Sequence, residues 1–143
     1  MRPVTAALLT SLLFATAAFA ADPTQPEAIE RAKLMKEIGL TSKILGEMAS
    51  GKAPYEAAAA EAAKTVLIAA AGQIDTVFAT AGADDPVSEA LPAIWTSWED
   101  FTTKSAGFGQ AAAALDTSSA ETIKAGMGTI GASCKACHSV YRE

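Results

Sequence analysis

The chain has 143 residues, of which 11 are basic, 16 are acidic and half are hydrophobic, for a formal net charge of −5. That balance argues against nucleic acid and anionic membrane surfaces as partners, because both recruit clustered cations. With two cysteines and one histidine, the chain lacks the residues for a disulfide framework or a Cys/His zinc tetrad.

In chain order, Met1-Arg2-Pro3 is a short basic start, and the run from Val4 to Ala20 carries no charge. It ends in Ala18-Phe19-Ala20, followed by Ala21-Asp22. A basic start, an apolar stretch and an A-x-A ending read as a secretory signal peptide over 1–20. The competing reading is an uncleaved anchor, since about 17 apolar residues is the lower limit for a membrane span. The small-residue ending favours cleavage. The expectation is therefore a periplasmic protein, free of the membrane after processing, with one domain over 21–143. That domain holds 123 residues, 10 basic and 16 acidic, for a net charge of −6.

Alanine is abundant, and glycine and proline cluster between periodic segments, which is an all-α composition. The first helix is expected from Pro26, a good first-turn residue, to about Ala49, before Ser50-Gly51. A second is expected from Pro54 to about Thr80, with Gly82 as its stop. Ala83 to Ser88 reads as a loop. A third helix runs from Pro92 to about Leu115 and Asp116. Ser118-x-x-Glu121 then forms a capping box for the fourth. Ile94, Trp98, Phe101, Ser105, Phe108, Ala112 and Leu115 recur in steps of four and three. So do Ile123, Met127, Ile130, Cys134, Cys137 and Tyr141. Such seams bury themselves between helices that cross at shallow angles. Short loops between four long helices imply an antiparallel up-down-up-down four-helix bundle.

Cys134-Lys135-Ala136-Cys137-His138 lies in the fourth seam. C-x-x-C-H is the attachment signal for a c-type haem. Two thiols at i and i+3 project to one helix face, and the histidine follows one turn beyond the first. A zinc site lacks its fourth ligand, a thioredoxin-like pair lacks its βαβ setting, and an i,i+3 disulfide on a helix is geometrically poor. One haem c per chain, covalently held through Cys134 and Cys137, is the expected cofactor. Antiparallel packing brings to its level Arg31, Met35 and Ile38, then Val77 and Phe78, then Ile94, Trp95 and Trp98. Each aromatic alone is an ordinary core residue; their shared level makes Phe78 and Trp95 candidates for a haem wall.

These stretches together resemble the cytochrome c′ family, the class II c-type cytochromes, over essentially the whole mature chain. The resemblance rests on Arg31-x-x-x-Met35-Lys36, Gly51-Lys52-Ala53-Pro54-Tyr55, Leu91-Pro92-Ala93-Ile94-Trp95 and Gly131 to Arg142. It implies thioether links at Cys134 and Cys137 and proximal iron ligation by His138. It also implies contact of Arg31 with a haem propionate, Arg142 beside the proximal pocket, and a homodimer through the first helices. Ser139-Val140 departs from the acidic or polar residues that family members often carry there.

The family divides at the sixth iron position. High-spin members leave it empty and bind NO or CO; low-spin members fill it with a methionine sulfur and transfer electrons. His138 is the only histidine, so a second imidazole from the same chain is excluded. Met127 is 11 residues from His138, about 16 Å along a helix, and Met48 is about 20 Å from Met35. Met35 alone lies at haem level on a facing helix. It is the expected sixth ligand in an electron carrier. The alternative is a five-coordinate gas binder in which Met35 only shields the iron. With no distal acid–base group, the chain does not read as an enzyme. The sequence names no redox partner protein.

Overall fold

The structure is a computed structural model that describes residues 22–81 and 85–143, so the leader expected at 1–20 and the stop expected at Gly82 lie outside the described residues. Pro26 opens α1 (Pro26–Ala49), which buries Ala28, Arg31, Leu34, Ile38, Thr41, Leu45 and Met48 in steps of three and four. The helix ends where Gly51 takes φ +72°. The Lys52 N–H then donates back to the Glu47 carbonyl at 2.9 Å, and Gly51 N–H to that of Met48 at 3.2 Å. This left-handed closure satisfies carbonyls that the helix end would otherwise orphan.

The second rod differs from expectation at its start and in its middle. It begins at Ala57, not Pro54, because residues 54–56 are not helical and Glu56, the N-cap, is extended. The Tyr55 hydroxyl is drawn off to donate to the Thr117 carbonyl at 2.8 Å. The rod also breaks into α2 (Ala57–Ala71) and α3 (Ile74–Phe78) at Gly72-Gln73. There the Gln73 N–H bonds the carbonyl three residues back, at 3.0 Å. Glycine is a weak helix former. The third rod divides likewise into α4 (Ala93–Thr96) and α5 (Trp98–Ala114). Ser97 interrupts it at φ −128°, ψ 45°.

The cap of α6 (Ala120–Tyr141) is one residue later than expected. Ser118 is held in a turn by Asp116 Oδ1, which accepts its N–H at 2.9 Å. Ser119 is the N-cap: its Oγ accepts the Thr122 N–H at 3.1 Å, and Thr122 Oγ1 accepts the Ser119 N–H at 3.0 Å. A threonine therefore does the work expected of Glu121.

α1 packs on α2 and α6, and α5 packs on α2 and α6, which closes the expected antiparallel four-helix ring. Leu45, Leu67, Ile123 and Ile130 are fully enclosed in its core. Among the described residues there is no strand, only an isolated antiparallel bridge between Ala90 and Arg142. No described helix is long and apolar enough to cross a membrane.

Candidate haem-attachment site

Ile123, Ile130 and Tyr141 define the buried face of α6. At about 100° per residue, Cys134 and Cys137 straddle that face and His138 falls on its flank. In the structure both thiols are free and half-buried against the core, while His138 is exposed. Burial raises the pKa of both thiols, so they are protonated at neutral pH. Partial burial lowers that of His138; Arg142 lowers it further and Glu89 opposes both. The imidazole is thus held in its neutral, metal-ligating form.

The core against which the cysteines pack includes a cluster of rings. Phe101 lies 5.3 Å from Phe78, 5.4 Å from Trp98 and 5.3 Å from Tyr141, centroid to centroid. Trp95 Nε1 donates to the Phe78 carbonyl at 2.9 Å. Arg31, only 3% exposed, has its guanidinium 4.9 Å from the Trp95 ring and 5.6 Å from that of Phe78. Its Nη2 donates to the Thr80 carbonyl at 2.9 Å. The structure therefore brings Arg31, Phe78 and Trp95 together, as their common level requires. In this arrangement Arg31 is engaged by a carbonyl and two aromatic faces. Met35, one turn along α1, is partly buried against the core. Met48 is buried elsewhere in α1, and Met127 is partly buried well down α6.

Arg142 is the C-cap of α6, and its N–H donates to the His138 carbonyl at 3.3 Å. Its Nε and Nη2 both reach Glu89 Oε2. The Tyr141 hydroxyl donates to Asp100 Oδ2, and that carboxylate pushes the phenol pKa up to about 12. Asp85, buried at the other end of the 85–92 segment, accepts the N–H groups of Thr24 at 2.7 Å and Gln25 at 3.0 Å. Sequence reasoning did not place Glu89, Asp85, Asp100 or Phe101 here. Phe101 alone had a readable signal, three residues beyond Trp98 in the same seam.

The donor set suits a haem rather than a bare cation. No group of three His, Cys, Asp or Glu side chains among the described residues could hold a metal ion. Two adjacent free thiols, one imidazole, an aromatic wall and a buried guanidinium match the needs of a porphyrin with acidic propionates. The family profile described as Cytochrome C′ matches residues 27–142. The chain belongs to the cytochrome c′ family.

Cytochrome c-556 of Agrobacterium fabrum is 36% identical over 99% of this chain and 95% of its own. The structure of cytochrome c prime from Shewanella frigidimarina superposes with TM-score 0.71 at 33% identity, covering 82% of this chain and 94% of that one. A variant of cytochrome c prime from Alcaligenes xylosoxidans, solved as a nitric oxide complex, gives TM-score 0.71 at 28% identity. It covers 82% of this chain and 93% of that one. Like its family, this cytochrome uses haem c, attached covalently through its two cysteines.

Proposed function

We propose that this chain is an exported, periplasmic class II cytochrome that carries single electrons, with His138 as proximal iron ligand and Met35 as the sixth. The observation that carries this reading is the seating of Cys134 and Cys137 on the inner face of α6, with Met35 partly buried against the core from the adjacent α1. Bound haem would supply one-electron iron chemistry. The chain does the rest. Cys134 and Cys137 would hold the macrocycle, and His138 would present a neutral nitrogen from the helix flank. Arg31 offers a buried cation to a propionate, at the cost of its bond to Thr80. Phe78 and Trp95 exclude water, and Arg142 stands beside the proximal imidazole. A thioether at the sixth position favours reduced iron and suits an electron carrier.

A second reading has support of its own. The structural relative from Alcaligenes xylosoxidans is described with bound nitric oxide, and methionine is a good apolar shield. On that reading Met35 only covers an open iron, and the protein binds small gases. Neither reading needs an enzyme. The exposed Ile29, Leu40 and Ile44 on α1 support a homodimer through the first helices.

Met35→Leu tests the choice, because it keeps the side-chain volume nearly constant and removes the sulfur. The electron-carrier reading expects a low-spin oxidised wild type that takes up CO poorly, and a high-spin variant that binds CO readily. A wild type already high-spin, with a spectrum unmoved by the substitution, refutes Met35 ligation and leaves the gas-binding reading.

A further inference from the structure

The segment before α4 is fastened to the end of α6, next to His138. Leu91 N–H donates to the Tyr141 carbonyl at 3.0 Å, and Glu143 N–H to the Glu89 carbonyl at 3.0 Å. Between these bonds lies the Ala90–Arg142 bridge. The backbone thus sets Glu89 opposite Arg142, and Glu89 Oε2 accepts from both Nε and Nη2 of the guanidinium. The two side chains are 55% and 49% exposed, and exposed pairs add little to global stability. The consequence of this geometry is local. Arg142 follows His138 by one helical turn and bonds its carbonyl. The Glu89–Arg142 ion pair therefore stands one helical turn beyond the imidazole.

We propose that Glu89 is a positioning residue for the proximal side of the haem: it fixes Arg142 beside His138, so that the imidazole faces a neutral pair instead of a loose cation. The inference rests on His138 being the proximal ligand, and on neither reading of the sixth position. Oxidised iron carries one more positive charge than reduced iron. Removing the Glu89 carboxylate leaves Arg142 uncompensated and favours the reduced state. A unit charge within about 10 Å, in largely aqueous surroundings, changes such an equilibrium roughly two- to fourfold.

The test uses the holoprotein with Glu89→Gln, Glu89→Gln/Arg142→Gln, and Glu121→Gln as a control. Glu121→Gln makes the same charge change on the helix that carries His138, about 25 Å from it at 1.5 Å per residue. At a fixed redox poise, Glu89→Gln is expected to raise the ratio of reduced to oxidised protein two- to fourfold. It should also move the paramagnetically shifted ring-proton resonances of His138. The double variant restores a neutral site and is expected to bring the ratio back towards wild type. The proposal fails if Glu89→Gln behaves like Glu121→Gln, or lowers only the melting temperature. It fails too if the double variant keeps the single variant's shift, since Glu89 then does not act through Arg142. Haem that extracts freely from the wild type would overturn the attachment site as well, and is read separately by acid–acetone extraction.

Discussion

Phe101 joins the ring cluster at the haem end, and its truncation gives the most demanding test of the packing. The side chain is 4% exposed and touches three other rings at 5.3, 5.4 and 5.3 Å. Phe→Ala in a core costs about 3–5 kcal/mol. Each aromatic pair contributes about 0.5–1.5 kcal/mol beyond the area it buries. Phe101→Leu keeps most of the apolar bulk and loses the ring pairs, so a cost of about 2 kcal/mol is expected, against about 4 for Phe101→Ala. For a domain of this size, about 2 kcal/mol lowers Tm by roughly 8 °C. Guanidinium unfolding of the holoprotein, followed by far-UV circular dichroism, measures the loss at constant slope. Soret circular dichroism then asks where the damage lies. Asp100 and Lys104, on the same helix as Phe101, act electrostatically on Cys137, so the haem signal should change. Ile123→Ala removes a fully enclosed side chain about 22 Å along α6 from His138. It should cost about 2–5 kcal/mol and leave the Soret signal as in wild type. The reasoning is refuted if Phe101→Leu costs less than about 0.5 kcal/mol, the scale of an ordinary surface change. It is equally refuted if Ile123→Ala disturbs the Soret signal and Phe101→Leu does not.

Two glycines should respond with opposite sign. A Cβ at Gly107 meets nothing within 4 Å, so Gly107→Ala should stabilise by about 0.5–1 kcal/mol through helix propensity. A Cβ at Gly126 would lie 2.5 Å from Cδ1 of the buried Leu115, so Gly126→Ala should destabilise by about 1–3 kcal/mol in the same denaturation assay. Hydrogen bonds from the backbones of Gln25 and Thr24 hold the Asp85 carboxyl below its ordinary 3.8. A depressed carboxyl contributes stability that is fully present above about pH 5 and lost as pH falls through the folded value. The Tm gap between wild type and Asp85→Asn should therefore close below about pH 4; a gap that stays constant with pH would contradict this role. Replacing Cys134 and Cys137 by serine should release haem in denaturing electrophoresis. The haem-free chain should then keep its far-UV dichroism but lose its near-UV signal, and cooperative native-like unfolding without haem would count against the site.

Composition, seams and one five-residue motif carry most of the fold and the attachment chemistry in one dimension. Helix periodicity is local, because a residue's face depends only on its spacing from its neighbours. The bundle follows once four such segments are joined by short loops. The same logic makes Cys134, Cys137 and His138 readable, since their geometry is set within little more than one turn of α6. Counting levels along antiparallel rods placed Arg31, Phe78 and Trp95 together, and there too only helix rise was needed.

What the tertiary structure decided are the places where distant segments compete for a local group. Tyr55 leaves its helix for a carbonyl at Thr117, 62 residues away, so α2 starts late. Asp116 takes the Ser118 N–H, and the cap of α6 moves to Ser119 and Thr122. Glu89 lies 53 residues from Arg142, and Asp85 lies 61 from Thr24. No local pattern announces either pair. Hydrogen bonds and ion pairs of this kind act only over a few ångströms. They therefore exist only after the helices have brought the start of α1, the end of α6 and the 85–92 segment to the same end of the bundle.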